Sequence, residues 1–166
     1  MSMITEYLRL RPNELTELRR LLAEEPNAAY SYVADLRDIG ADHGGAARGM
    51  DTDKAWEGLR FLLAKLHPSV DVIAGGEPVT DDEWGYDSPR LLTAAEVAEA
   101  ARFFEVTPFS SVAAQYQQAE LIAAEVYPDI WAEDWALSYL EDAYADVAAL
   151  FCAAAADREA VLVWMS

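Results

Sequence analysis

The six residues Ala160 to Met165 read AVLVWM, an apolar run with no polar face. Side chains alternate between the two faces of a strand, so a strand of this composition is one covered on both sides. This constrains the fold more than any other stretch: the C-terminal strand belongs in the middle of a sheet. The matching element at the other end is MITEYLRL, Met3 to Leu10. Ile4, Leu8 and Leu10 alternate with Thr5, Tyr7 and Arg9, the period of two that marks a strand. Glu6 interrupts the apolar side, as a solvated strand end does, or as a residue lining a polar site would.

Between the two ends the pattern turns helical. Pro12 presets a first helical turn, Leu15, Leu18 and Leu22 recur at helical spacing, and Pro26 stops the run. A second helix carries Ala29, Tyr32, Val33, Leu36 and Ile39 and ends at Gly40. GADHGGAARG is glycine-rich and aperiodic, a loop. It lacks the preceding strand and lysine-threonine ending of a phosphate-binding loop. DTDKAWEGLRFLLAKL is predicted as a helix with acids in its first turn and Trp56, Leu59, Leu63 and Leu66 on one stripe.

Further along, SPRLLT gives a short strand, and Thr93 to Glu96 has the spacing of a capping box opening a helix that buries Val97, Ala101 and Phe104. Thr107-Pro108 starts another helix, which Pro128 terminates. The last helix places Leu137, Leu140, Tyr144, Val147 and Phe151 three and four residues apart. The expected architecture is one α+β domain over residues 1–166. It has a small mixed sheet of about three strands (N-terminal, middle and C-terminal), packed by five or six helices. No internal repeat or dividing linker is visible.

These blocks also carry a resemblance. MSMITEY, DTDKAWEGLRFLL, GGEPV followed by WGYDSPRLLT, VYPDIW, and the long helix running into AVLVWM occur in the order seen in the YfbM-like family, a bacterial domain of unknown function. The similarity runs essentially end to end. It implies a small soluble α+β protein of one domain and supplies no reaction. One departure is Asp87, where members often carry a second glycine after the tyrosine.

Charge narrows the function. Twelve basic against thirty acidic side chains give a formal net charge of −18, which repels phosphate backbones and anionic headgroups. Nucleic acid and membrane surfaces are therefore not expected partners; the partners such a charge attracts are cations or basic proteins, and the alternative is an acidity that only keeps the protein soluble. The single cysteine, Cys152, excludes an intramolecular disulfide and sits in an apolar helix that leaves it inert. The N-terminus shows no secretion signal and the longest apolar stretch is too short to cross a bilayer, so the expected location is the cytoplasm.

Catalytic groups are few. His43 and His67 are the only histidines, no nucleophile elbow is present, and metal spacing of the His-x-x-x-His or Cys-x-x-Cys kind is absent. Asp81, Asp82, Glu83 and Asp87 offer hard oxygen ligands, but Gly85 is one position early for a calcium loop and no glutamate closes it. No catalytic residue, metal or cofactor is assigned. The candidate binding residues are Asp53, Lys54, Trp56, Gly75, Gly76, Tyr86, Arg90, Tyr127 and Trp131. Glycines permit close backbone approach, Arg90 offers a planar fork, and the aromatic rings offer flat contact surfaces. Two functional readings follow. The first is a non-catalytic binding protein whose acidic surface docks a basic protein, as an inhibitor or immunity protein would. The alternative is a small-molecule-binding protein or enzyme, with its site between the Asp53–Trp56 helix and the Gly75–Arg90 loop.

Overall fold

A computed structural model describes residues 2–41 and 47–166 of the chain. His43 and the centre of the glycine-rich loop lie outside the described residues.

The sheet is built on β5 (Ala160–Met165). It pairs along its whole length with β1 (Thr5–Leu10), from Thr5 opposite Met165 to Leu10 opposite Ala160. On its other side it pairs with β4 (Arg90–Leu92). Two short strands complete the sheet: β2 (Gly49–Asp51) on the outer side of β1 and β3 (Glu77–Pro78) on the outer side of β4. The order is β2-β1-β5-β4-β3 and every pairing is antiparallel. The expected central place of the C-terminal strand is therefore found. The expectation of about three strands in a mixed sheet is corrected to five, all antiparallel. The two added strands have three and two residues, too few for an alternation to show in the sequence.

Seven helices surround the sheet among the described residues: α1 (Pro12–Glu24), α2 (Pro26–Ala41), α3 (Trp56–Ala64), α4 (Ala94–Val106), α5 (Phe109–Ala113), α6 (Gln118–Ala123) and α7 (Ala136–Ala156). The α4 capping box closes as its sequence demands. The Thr93 hydroxyl accepts the Glu96 N–H at 3.2 Å, and the Glu96 carboxylate accepts the Thr93 N–H at 3.2 Å. The helix expected between Thr107 and Pro128 is instead two short ones, α5 and α6. The helix expected from Asp51 begins only at Trp56, because Asp51 is taken by β2 and Asp53 has φ of +47°, which no helix tolerates.

Both faces of β5 are buried, for a visible reason. Ala160, Leu162 and Trp164 join Leu8 and Leu10 of β1 and pack on Leu18 and Leu21 of α1 and Val33 and Leu36 of α2. Val161 and Val163 join Tyr7 and pack on α3, α4 and α7 through Leu59, Leu62, Phe104, Val147 and Phe151. The sheet is a middle layer between two helical layers. This also corrects the reading of β1 as one-sided. Its Thr5–Tyr7–Arg9 side is buried too, and the Tyr7 hydroxyl donates to Val72 O at 2.9 Å. Burial, with Asp71 nearby, pushes the Tyr7 pKa far up, so that hydroxyl remains a donor.

Arg9 is the costliest of these buried groups. Only 6% exposed, it holds Glu159, 4% exposed, at 2.5 Å and Asp157 at 2.6 Å, tying β1 to the turn between α7 and β5. On the other face Glu6 is not a free strand end: Arg37 of α2 and the Ser166 hydroxyl occupy its carboxylate, and with Arg37, Tyr30 and Asp38 it lines a surface hollow. Among the described residues no helix is long and apolar enough to span a membrane.

Candidate functional site

The nine residues singled out in the sequence do not converge on one site. The structure parts them into three sets.

Trp56, Tyr127 and Trp131 belong to the core and to the anchoring of the N-terminal segment. The Trp56 indole N–H donates to Met3 O at 3.0 Å, and Met3 N–H donates to the Tyr127 hydroxyl at 3.2 Å. The two rings lie 6.2 Å apart. Trp131 is 1% exposed, and its indole N–H is spent on Val126 O at 2.6 Å. Both indole N–H groups are thus spent on backbone carbonyls, while Trp131 and Tyr127 also line a shallow hollow beside α6.

Gly75, Gly76, Tyr86 and Arg90 shape a connection. A side chain at Gly75 would meet Asp71 O at 2.2 Å, and one at Gly76, whose φ is +92°, would meet Leu91 O at 2.5 Å. Both glycines are needed because backbone passes close by. Arg90 donates weakly to Gly76 O at 3.4 Å and faces Asp87 at 3.7 Å, so its guanidinium closes the loop on itself. The middle of the loop is pinned by Trp84, buried against Trp164 and Tyr30 with ring separations of 6.2 and 5.4 Å. Beside it Tyr86 N–H donates to Met165 O at 2.9 Å. The turn closes at Asp87, whose carbonyl accepts the Trp84 N–H at 3.0 Å. Asp81, Asp82 and Glu83 point to solvent. Among the described residues no three His, Cys, Asp or Glu side chains gather as metal ligands would. Replacing the three loop acids together by Asn, Asn and Gln should change stability by no more than about 1 kcal/mol, read from urea denaturation midpoints.

Asp53 and Lys54 form the third set, and they lead to residues outside the nine. The Tyr139 hydroxyl donates to Asp53 at 2.8 Å and accepts the Lys54 N–H at 3.0 Å. Burial first, and then the bond to Asp53, hold the Tyr139 pKa well above its ordinary value, so the ring stays neutral. Trp135, at the start of α7, meets Tyr139 edge to face with centroids 5.9 Å apart, and is 49% exposed. At 100° per residue, Trp135, Tyr139, Asp142 and Asp146 fall on one stripe of the helix. Asp142 and Asp146 are exposed, as are Glu133 and Asp134 just before the helix. The sequence signal for this face is helical spacing on the side away from Leu140, Tyr144, Val147 and Phe151, a pattern that any solvated helix side shares.

Most of the cations pair away from this face. Arg9, Arg20, Arg37, Arg48, Arg60, Lys65 and Arg90 each pair with a carboxylate, seven of the twelve basic side chains. None of those pairs involves Glu133, Asp134, Asp142 or Asp146, so the acids before Trp135 and on its stripe have no ion-pair partner among the described residues.

The model of a domain of unknown function, DUF1877, matches residues 1–164. The chain belongs to this family. No curated protein matches its sequence. Among solved structures it is similar to a protein of unknown function, YfbM from Escherichia coli, with a TM-score of 0.63 at 15% identity, covering 98% of this chain and 99% of that one. The family resemblance carried by the sequence blocks is thus shown. At that identity the structural likeness speaks for the fold alone, so DUF1877 membership brings the α+β architecture with it and no reaction.

Proposed function

We propose that the protein is a non-catalytic, cytoplasmic binding protein whose acidic surface docks a basic protein partner, with the Trp135–Tyr139 face of α7 as the contact. The observation that carries this is Trp135: a half-exposed indole that follows Glu133 and Asp134 and heads a helix stripe with Asp142 and Asp146, acids that have no ion-pair partner among the described residues. Tryptophan and tyrosine are the side chains that most often dominate interface energies. Here an indole face beside uncompensated acids suits an arginine or lysine on the partner, through cation–π contact and charge pairing together. Tyr139, fixed by Asp53 and Lys54, gives the indole a rigid neighbour at little entropic cost on binding. The net charge of −18 speeds encounter with a basic surface and selects against acidic ones.

The test is capture from lysate of the source cell, quantified at low and high salt with wild type, Trp135→Ala and the pair Asp142→Asn/Asp146→Asn. Trp135→Ala should leave stability within about 1 kcal/mol of wild type and weaken partner binding at least about tenfold, the loss typical of an interface hot spot. The double aspartate variant should slow association and flatten its salt dependence. A partner that binds all three proteins equally, or no salt-sensitive partner at all, would overturn the reading.

A further inference from the structure

A second binding feature lies away from that face. A cavity of about 360 Å³ opens between α3, the segment 67–73 and α4. Its volume is at the small end of the about 300–1,000 Å³ typical of ligand sites. The walls are apolar: Leu63 of α3, Val70, Val72 and Ile73 of the connecting segment, and Ala100 and Phe103 of α4. Arg60, Asp71, Glu99, Ser69 and His67 form the rim.

The rim groups are unequally available. Asp71 is committed, with one carboxylate oxygen accepting the N–H groups of Ile73 and Ala74 at 2.9 Å each and the other facing Arg60 Nε at 3.3 Å. That pairing also neutralises Arg60. Glu99 is different. It accepts the Ser69 hydroxyl, at 3.2 Å, and forms no ion pair among the described residues. The mouth of an apolar cavity thus carries one unmatched negative charge, next to a hydroxyl whose oxygen keeps free acceptor capacity.

We propose that this cavity binds a small organic amine with an aromatic or branched apolar body. The body lies against Leu63, Val72 and Phe103, and the ammonium donates to the Glu99 carboxylate and the Ser69 oxygen. A carboxylate-bearing ligand is disfavoured, because Arg60 at the rim is already paired and an anion would have to sit beside Glu99. A neutral ligand of the same shape would gain the apolar contacts and leave Glu99 unmatched.

Phenethylamine is the probe, with phenylpropionate as its anionic counterpart, and binding is followed by calorimetry and by the shift in melting temperature. Phenethylamine should bind saturably at one site and phenylpropionate should not bind. Glu99→Gln should weaken phenethylamine at least about tenfold, the loss expected when a charge-assisted hydrogen bond is removed. Asp82→Asn removes one negative charge from the exposed loop and should leave the affinity within about twofold of wild type. It so separates a local contact from the general attraction of an acidic protein for cations. Ala100→Leu, which fills the cavity, should abolish binding, and its unfolding midpoint is measured alongside to show that the variant is folded. Absence of saturable phenethylamine binding, equal binding of phenylpropionate, or equal losses in Glu99→Gln and Asp82→Asn would each overturn the proposal. These outcomes leave the Trp135 face untouched, so the two readings fail or stand separately.

Discussion

Arg9→Met should destabilise the protein by about 3–5 kcal/mol, a large part of the about 5–15 kcal/mol available to a domain. The reason is what remains behind. Glu159 is buried, and in wild type its carboxylate is matched by the Arg9 guanidinium at 2.5 Å. Methionine fills a similar volume but supplies no charge, leaving an ionised carboxylate without a partner in the layer between the sheet and α7. Asp157, the second carboxylate on Arg9, is well exposed and can be solvated, so Glu159 carries most of the penalty. The double variant Arg9→Met/Glu159→Met should therefore recover most of the loss, since two apolar side chains replace a matched pair. Urea denaturation of the two variants decides this. A single variant within about 1 kcal/mol of wild type, the range of ordinary surface changes, would mean that the Arg9–Glu159 pair is not holding β1 to the α7–β5 turn.

How far the fold can be read from the sequence depends on whether an element advertises itself locally. AVLVWM announces a two-sided strand because its side chains are apolar throughout, and the structure gives it two covered faces. The Thr93–Glu96 capping box and the long α7 are equally legible, since capping and periodicity are written within a few turns. Gly49–Asp51 and Glu77–Pro78 carry no such signal. They become strands only because β1 and β4 present unpaired edges to them, a fact of tertiary structure.

The site is less legible still. Trp56 and Trp131 draw notice as aromatic residues near polar ones, and both lie in the core; for Trp56 the helical spacing with Leu59, Leu63 and Leu66 marks it, whereas Trp131 sits in a turn that carries no such signal. Trp135 and Tyr139 matter through exposure, which the same spacing records only as the side left over. Of the sequence candidates, Asp53 and Lys54 do reach that face, through the Tyr139 hydroxyl. The cavity has no sequence signature at all. It is lined jointly by α3, α4 and the 67–73 segment, and none of the nine candidate residues lines it.

Trp131→Ala should cost about 3–5 kcal/mol and abolish most of the folded population under mild denaturation, because it removes a fully buried indole from a site that cannot close around the gap. The closure is prevented by the way the ring is seated. Its six-membered edge fits against α3 at Gly58, where a Cβ would come within 2.3 Å of the ring. A glycine inside a helix costs roughly 1 kcal/mol relative to alanine, and at this position it creates the hollow that the indole fills. Removing the indole leaves the helix with both the glycine penalty and an empty hollow. Gly58→Ala makes the converse change: it gains helix propensity but pushes the ring outward, and should still lose about 1–3 kcal/mol through overpacking. The two substitutions together should cost less than the sum of their separate effects, because the clash that penalises Gly58→Ala disappears once the ring is gone. Unfolding midpoints for the two single variants and the double variant measure that coupling directly. Additive losses would mean that Trp131 is not locked into α3, and would restore it as a residue free to meet a ligand.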